Sequence, residues 1–446
     1  MIFKKYVGLF LGNFNKYDKR KYIIGDSAFT RKGKAPFMTV NKMILASHKK
    51  TGDNEAKYFS KVLLEGVDVK ITNSGVSERK TFISPQIFID MDNDFLNDIY
   101  FNNSEEMVKF KGYTVAAIDG SIIDIPNTKI TRDEFEIPDS DEFQNYTATA
   151  RASCMVDVNM NFILSSNLTY RDVSEINHAM MHLDDVKTRF DISKFITMYD
   201  RGYNSHKIII KHELLGAPFI LRGKIDFLKK QQNSMSTDDE TFEISLSDSK
   251  IEDLEYEDLK EFMKKNKGTY KVRIVKVKLN NGKTEILFTN LPKEVASKEE
   301  LKELYGQRWS IETNFDKLKN KIKIEQFSGR RKITIEQDFY SHILFANLVL
   351  ALQHDAKEMI NIEQRKNNKH KYELNPNFNH IVGEMKSNLP RLFNASDEEL
   401  PFIVEEIVQD ASKHIVYTKK DSPSNSERSD KAYKETKCPS NISDAY

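Results

Sequence analysis

The sequence predicts an α/β protein: a mixed sheet flanked by helices, interrupted by a β-rich insertion and preceded by a small helical module. Three observations carry this. From Tyr113 to Gly223, β-branched apolar runs and helical patterns follow one another as β-β-β-α-β-α-β, the pattern of a layered domain around a mixed sheet. The interrupting segment closes with "YKVRIVKVKLNNGKTEILFTN", whose alternation about Asn-Asn-Gly signals a hairpin. From Phe29 to about Asp90, Lys and Arg mix with short apolar clusters that read as amphipathic helices.

Taken in order, the helical module comprises "PFMTVNKMILAS", "EAKYFSKVLLEG" and "SGVSERKTFISPQIF". Ser77 or Ser74 is placed to cap the last, leaving Glu78, Arg79 and Lys80 on an exposed face. That face reads equally as a helix-turn-helix-like DNA reader or as a solvated surface. "YTVAAIDGSIIDIP" reads as a hairpin turning at Gly120, and "TARASCMVDV" and "NFILSSNLTY" as two more strands. Ser174 caps the helix "SEINHAMMHLDDV". Strand "KFITMYD", helix "SHKIIIKHELLG" ending at Gly216, and strand "APFILRG" follow. Past the insertion, Ser297 and Glu300 form a capping box that opens one long helix reaching Lys321. A further apolar helix, roughly Glu336 to Met359, is expected to pack on the sheet.

Charge is balanced, 68 Lys+Arg against 67 Asp+Glu, so the net value of +1 says nothing about partners, but its distribution does. Met1 to Lys50 carries 12 bases against Asp18 and Asp26; Asp238 to Asp258 carries 10 acids against Lys250. Such segregation points to a polyanion-facing end. Cys154 and Cys438 are too few and too far apart for a disulfide framework or a zinc site, and fit a reducing compartment. The opening "MIFKKYVGLFLGNF" lacks the cleavage site and length of a secretory signal, and no run of about 18 apolar residues follows. A cytoplasmic protein is expected, with no membrane partner.

The stretch "LYGQRWSIETNFDKLKNK" holds the most pointed chemistry. On a continuous helix at about 100° per residue, Tyr305, Arg308, Glu312 and Lys319 fall within an arc of about 60°, beside the apolar stripe Leu304, Ile311, Phe315, Leu318 and Ile322. Alone, these charges read as a surface network. They gain meaning from Asp119, ending "VAAID", and Asp200, ending "FITMYD". Carboxylates at the carboxyl ends of strands sit where α/β domains bind ligands. Three converging carboxylates need a cation. Oxygen-only ligands suit magnesium or manganese, and two such ions clamp the attacking and leaving oxygens of phosphoryl transfer. His178 and His182, four apart, lack a metalloprotease glutamate and read as ordinary helix residues. Asp124 and Asp157 read as outward strand positions. Arg330, Arg331 and Lys332 read as a basic extension or a solvated loop.

Tyr305-x2-Arg308-x3-Glu312-x6-Lys319 resembles, without a gap, the Y-R-E-K signature of DDE transposases of the insertion-sequence-four family. "AIDGSIIDIP" and "MYDRGY" are similar to that family's two aspartate blocks, and the resemblance runs from about Tyr113 to Leu350. It implies a ribonuclease-H-like core in which Asp119, Asp200 and Glu312 are catalytic and hold two Mg2+ (or Mn2+) ions. Tyr305, Arg308 and Lys319 would grip DNA phosphates, and Trp309 would stack on a flipped base, unless it packs in the core. It further implies a cut-and-paste transposase acting on double-stranded DNA, the element's terminal inverted repeats and its target, as a homodimer, nucleoid-associated when bound. A catalytically silent DNA-binding regulator and a ribonuclease-H-like nuclease without strand transfer stay open. The expected domains are 1–110, basic, helical and DNA-binding; 111–223 with 298–360, catalytic; 224–297, the β-rich insertion; 361–418, a C-terminal helical region; and 419–446, a disordered tail.

Overall fold

The structure is a computed structural model describing residues 1–419 except 15, 27, 31–34, 48–51, 64–70, 103–105, 138–146, 280–281 and 368–371. The expected tail, Cys438 and the two asparagines of the hairpin turn thus lie outside the described residues, the tail but for its first residue. The chain divides into two compact units, one formed by Ser104–Ile122 with Arg151–Asp316, the other by Met1–Asn103, Ile123–Ala150 and Lys317–Tyr446.

The first unit is built on an eight-stranded sheet. Its strands are β1 (Thr114–Asp124), β2 (Thr149–Asp157), β3 (Ile163–Tyr170), β4 (Phe195–Tyr199), β5 (Phe219–Arg222), β6 (Asp239–Ser245), β7 (Thr269–Lys278) and β8 (Thr284–Thr289). They lie in the order β3-β2-β1-β4-β5-β8-β7-β6. β1, β4 and β5 run parallel; β5 to β8, β8 to β7 and β7 to β6 are antiparallel. The central strands are buried on both faces, as in the fully buried "FITMY" of β4, while β6 at the edge is largely open to solvent and buries Ile244 alone. This mixed sheet flanked by helices is the ribonuclease-H-like arrangement expected from the sequence. The insertion does not stand apart, because its three strands extend the same sheet.

Two helices serve the parallel strands. Ser174 caps Glu175–Arg189, its hydroxyl accepting the Asn177 amide at 3.1 Å. Ser205 opens His206–Leu215, and Gly216 at φ 62° closes it in the left-handed conformation that glycine tolerates. Lys211, 2% exposed, joins both helices to the insertion through Asp184 and Asp258, each at 2.9 Å. Asp239 likewise takes Arg273 at 2.7 Å, and Asp238 takes Lys298 at 2.8 Å. Much of the acidic segment is therefore framework charge, neutralised within its own unit.

Several local expectations change. "YTVAAIDGSIIDIP" is one strand, not a hairpin: β1 runs through Gly120, whose φ is not positive, so Asp119 lies inside the strand rather than at its end. The long signature helix is broken. Lys298–Gln307 and Ser310–Lys317 are separate helices, followed by a π-helical turn at Leu318–Ile322. At the break Arg308 N–H bonds Tyr305 O and Ile311 N–H bonds Arg308 O, both at 3.1 Å and both three residues back, which turns the chain faster than an α-helix. Asp157 is 1% exposed, not outward; its Oδ1 accepts the amides of Asn159 at 2.9 Å and Met160 at 3.0 Å.

In the second unit, Lys332–Asn367 is the central helix, packed among Ile2–Phe14, Phe37–Leu45, Gln86–Asn102, Phe378–Asn394 and Leu400–Lys413. Its apolar length thus serves a helical core. The opening residues Phe3, Tyr6, Val7 and Phe10 are buried there. Asp355 caps that first helix from a distance, accepting the amides of Ile2, Phe3 and, at 2.9 Å, Lys4. Strands β9 (Tyr372–Pro376) and β10 (Ile415–Lys419) pair antiparallel. The helix Asn73–Lys80 is capped by Thr72, not by Ser74 or Ser77. Of its three exposed-face candidates, Lys80 bonds Ser328 at 3.0 Å and Arg79 lies over the Phe29 ring at 5.0 Å. Among the described residues no helix is long and apolar enough to cross a membrane.

Candidate active site

The register pairing Ala117 of β1 with Met198 of β4, carried on by two residues, sets Asp119 level with Asp200. Neighbouring strands lie about 4.8 Å apart, and residues abreast on parallel strands send their side chains to one face. The strand order also departs in opposite directions from β1 and β4, the kind of switch point where α/β sheets bind ligands. Asp200 has extended backbone, and its Oδ1 accepts the Gly202 amide at 2.6 Å, opening a tight turn at Arg201–Tyr203.

Two carboxylates so placed repel by about 3 kcal/mol at 5 Å and an effective dielectric of 20. The Asp119 carboxyl registers this. Burial chiefly lifts it from 3.8 to about 6; the Gly120 amide and Arg308 pull it down, and Asp200 and Glu312 push it up. Glu312 is thus within electrostatic reach of Asp119. Arg308, 6% exposed, gives its Nη2–H to Glu312 Oε1 at 2.9 Å. Burial opposes the guanidinium's charge, yet Tyr305, Glu312, Asp119 and Asp200 together hold its pKa above the ordinary arginine value.

Tyr305 lies beside this arginine, its ring centroid 5.9 Å from the guanidinium carbon. Burial pushes its hydroxyl up to about 12. Trp309, at the helix break, is 41% exposed, which corrects the core-packing reading. Lys319 belongs to the other unit, where it pairs with Glu325 at 3.4 Å. The structure thus brings Asp119, Asp200, Glu312, Arg308 and Tyr305 together within one unit.

Three carboxylates supply only hard oxygen donors, and their mutual repulsion is what a divalent cation relieves, so the donor chemistry fits such an ion. In this arrangement Arg308 engages Glu312. Among the described residues, no three His, Cys, Asp or Glu side chains stand close enough to enclose a metal.

Sequence reasoning missed the supports behind Asp119. Ser153 Oγ–H donates to the Asp119 carbonyl at 3.1 Å, so His182 must donate to Ser153 through Nε2–H at 2.9 Å, while its Nδ1 accepts from Ser165 at 2.9 Å. His178, also buried, reaches Thr169 Oγ1 at 2.8 Å. Both histidines are internal polar anchors. The apolar positions around them on the same helix were the available signal. Arg222, ending β5 and paired with Glu285 at 2.6 Å, was also passed over.

Residues 110–348, more than half of the chain, match the family described as "Transposase DDE domain". The chain belongs to that family. The matched span contains every residue of the cluster above, and Lys319 and Trp309 as well. Among solved structures, the chain is similar to piggyBac transposase in a synaptic complex with hairpin DNA. The identity is 10% and the TM-score 0.40, over 97% of this chain and 85% of that one. No curated protein sequence gives a match. Within the transposase DDE domain, the carboxylate pair in β1 and at the end of β4 and the Arg308–Glu312 pair are the features with chemistry to offer.

Proposed function

We propose that this protein is a cut-and-paste DNA transposase of the insertion-sequence-four kind, which cleaves its element's terminal inverted repeats and joins the 3′ ends to target DNA. The observation that carries the reading is the level placement of Asp119 in β1 and Asp200 just past the end of the adjacent parallel β4, with the Arg308–Glu312 pair in electrostatic reach. Asp119, Asp200 and Glu312 are the residues that would hold two Mg2+ or Mn2+ ions. When bound, such ions polarise the phosphate and activate the attacking oxygen.

The chain's own residues do the rest. Arg308 balances the acidic cluster and is placed to fork onto a phosphate oxygen. Tyr305, with its proton retained, offers a neutral donor. Trp309 presents an exposed ring suited to base stacking. Lys319 adds a positive charge to the phosphate track. A homodimer on paired ends, with residues 1–110 contacting DNA, completes the reading.

The test is to incubate the purified protein with Mg2+ and DNA carrying its element's terminal repeats, followed by a supercoiled target. Nicked ends and joined products are expected. Binding without any nick would leave a DNA-binding regulator, and cleavage without joining would leave a nuclease.

A further inference from the structure

Tyr203 is a polar group the site has not yet used. It closes the turn begun by Asp200, is 1% exposed, and sets its ring 5.4 Å from that of Tyr199. Its hydroxyl meets no hydrogen-bond partner among the described residues. Tyr199 provides the contrast: equally buried, its hydroxyl donates to His212 Nε2 at 2.7 Å. A buried hydroxyl left unpaired is costly, and phenylalanine would fill the same space without that cost.

The surroundings of Tyr203 indicate what the hydroxyl is for. Burial keeps its proton on well beyond the ordinary range, and Asp119, Glu175, Tyr199 and Asp200 act on it in the same direction. Carboxylates only accept hydrogen bonds, so the hydroxyl has donation alone to offer them. Glu175 already has a cation, Arg151 Nη1 at 3.3 Å. It also lies close to the turn, since a Cβ on Gly202 would meet Glu175 Oε2 at 2.3 Å and Asp200 Oδ1 at 3.8 Å. Arg308 is committed to Glu312. Held by Arg151 through Oε1, Glu175 keeps Oε2 beside the turn yet does not meet the hydroxyl; the carboxylates that a cation would draw together are Asp119 and Asp200.

We infer that Tyr203 is a positioning residue whose hydroxyl donates to the Asp119–Asp200 carboxylate pair when a divalent cation gathers it. The inference rests on the cation-dependent reading above. It explains why a costly hydroxyl is kept at a position where the ring alone would suffice for packing.

The test compares the full-length wild type with Tyr203→Phe and Tyr199→Phe. Mn2+ affinity is measured by calorimetric titration without DNA, and thermal unfolding is followed without divalent cation. Tyr203→Phe is expected to weaken Mn2+ binding about tenfold, the loss of one hydrogen bond to a charged group. It is also expected to unfold at the same or a higher temperature. Tyr199→Phe should unfold earlier and bind Mn2+ like the wild type. Unchanged Mn2+ affinity in Tyr203→Phe overturns the inference, and so does a fall in its cation-free stability, which would show the hydroxyl already bonded. A wild type that takes up no Mn2+ overturns the cation-dependent reading together with this one. Wild-type binding with an indifferent Tyr203→Phe overturns this one alone.

Discussion

Arg308 and Glu312 form a 2.9 Å ion pair across the point where the signature helix breaks, with the arginine 6% exposed and Asp119 and Asp200 both in its electrostatic field. A buried guanidinium facing three carboxylates lowers the cost of their proximity before any metal arrives. Arg308→Ala should therefore cut cleavage about a hundredfold, the scale seen when one preorganised donor is removed from an active site. The Asp119 carboxyl should titrate higher, because Arg308 is one of the groups pulling it down. Arg308→Lys should restore part of both effects, having charge without the fork. Cleavage assays and carboxyl-carbon NMR of the three proteins check this; an Asp119 titration that ignores Arg308→Ala would refute the electrostatic role.

Asp119 in β1 and Asp200 just past the end of the adjacent parallel β4 stand level and should trade stability for activity. The Asp119 carboxyl lies at about 6, raised from 3.8 chiefly by burial. A group with a raised folded pKa contributes stability that is complete below its unfolded value and disappears as pH rises through the folded one. The cation-free protein should thus lose stability from this group between pH 4 and pH 6. Asp119→Asn should abolish that dependence, raise cation-free stability at pH 7 by about 1–2 kcal/mol, chiefly because a neutral amide escapes the burial penalty of the charge and secondarily because repulsion from Asp200 and Glu312 is relieved, and abolish cleavage. Urea unfolding at several pH values with chelator present measures it. A variant no more stable than the wild type at pH 7 would contradict the placement.

Much of the sheet was legible because its signals are local. Ser174, Ser205 and Gly216 bound their helices, and the apolar runs of β4 and β5 leave little else for those segments to be. The sequence also carried the Arg308–Glu312 contact, since four residues of helix and a tight turn with a helix both bring these side chains together. What escaped it depended on tertiary context. Gly120 looks like a turn, yet β1, a central strand of the sheet, runs straight through it. The break at Arg308 and Trp309 has no proline to announce it, and the nearest helix-weakening residue is Gly306. His182 reads in the sequence as an ordinary helix residue; its buried role comes from Ser153 and Ser165 of neighbouring strands, which reach it.

His182 and His212 should make the sheet unit acid-labile. Burial lowers His182 to about 3 and His212 to about 4. Each ring nitrogen already has a fixed use: His212 Nδ1–H donates to the Ala217 carbonyl at 3.0 Å, leaving Nε2 to accept from Tyr199. Depressed folded values mean stability that is complete above the unfolded value near 6.5 and is lost as pH falls toward the folded ones. At pH 5 the loss should approach about 2 kcal/mol for each histidine relative to pH 7. This runs opposite to the Asp119 contribution, and two histidines outweigh one carboxyl. His212→Gln should flatten the acid limb of a urea-unfolding profile; an unchanged limb would place the acid sensitivity elsewhere.

Lys319 and Trp309 test the DNA-facing side of the reading separately from the chemistry. Trp309 is 41% exposed, so Trp309→Ala should leave the unfolding temperature within about a degree, whereas truncating a core tryptophan costs about 3–5 kcal/mol. Lost stacking on a base should weaken end binding by about 1–3 kcal/mol. Lys319 pairs with Glu325 at 3.4 Å, both residues partly exposed, an ion pair of small worth to stability. If it exchanges that carboxylate for a phosphate on binding, Lys319→Ala should weaken DNA binding uniformly across sequences and reduce the slope of log affinity against log salt by about one. Filter binding from 50 to 300 mM salt, a range in which the slope is readily measured, decides it. A slope equal to that of the wild type removes Lys319 from the phosphate track and leaves it a surface partner of Glu325.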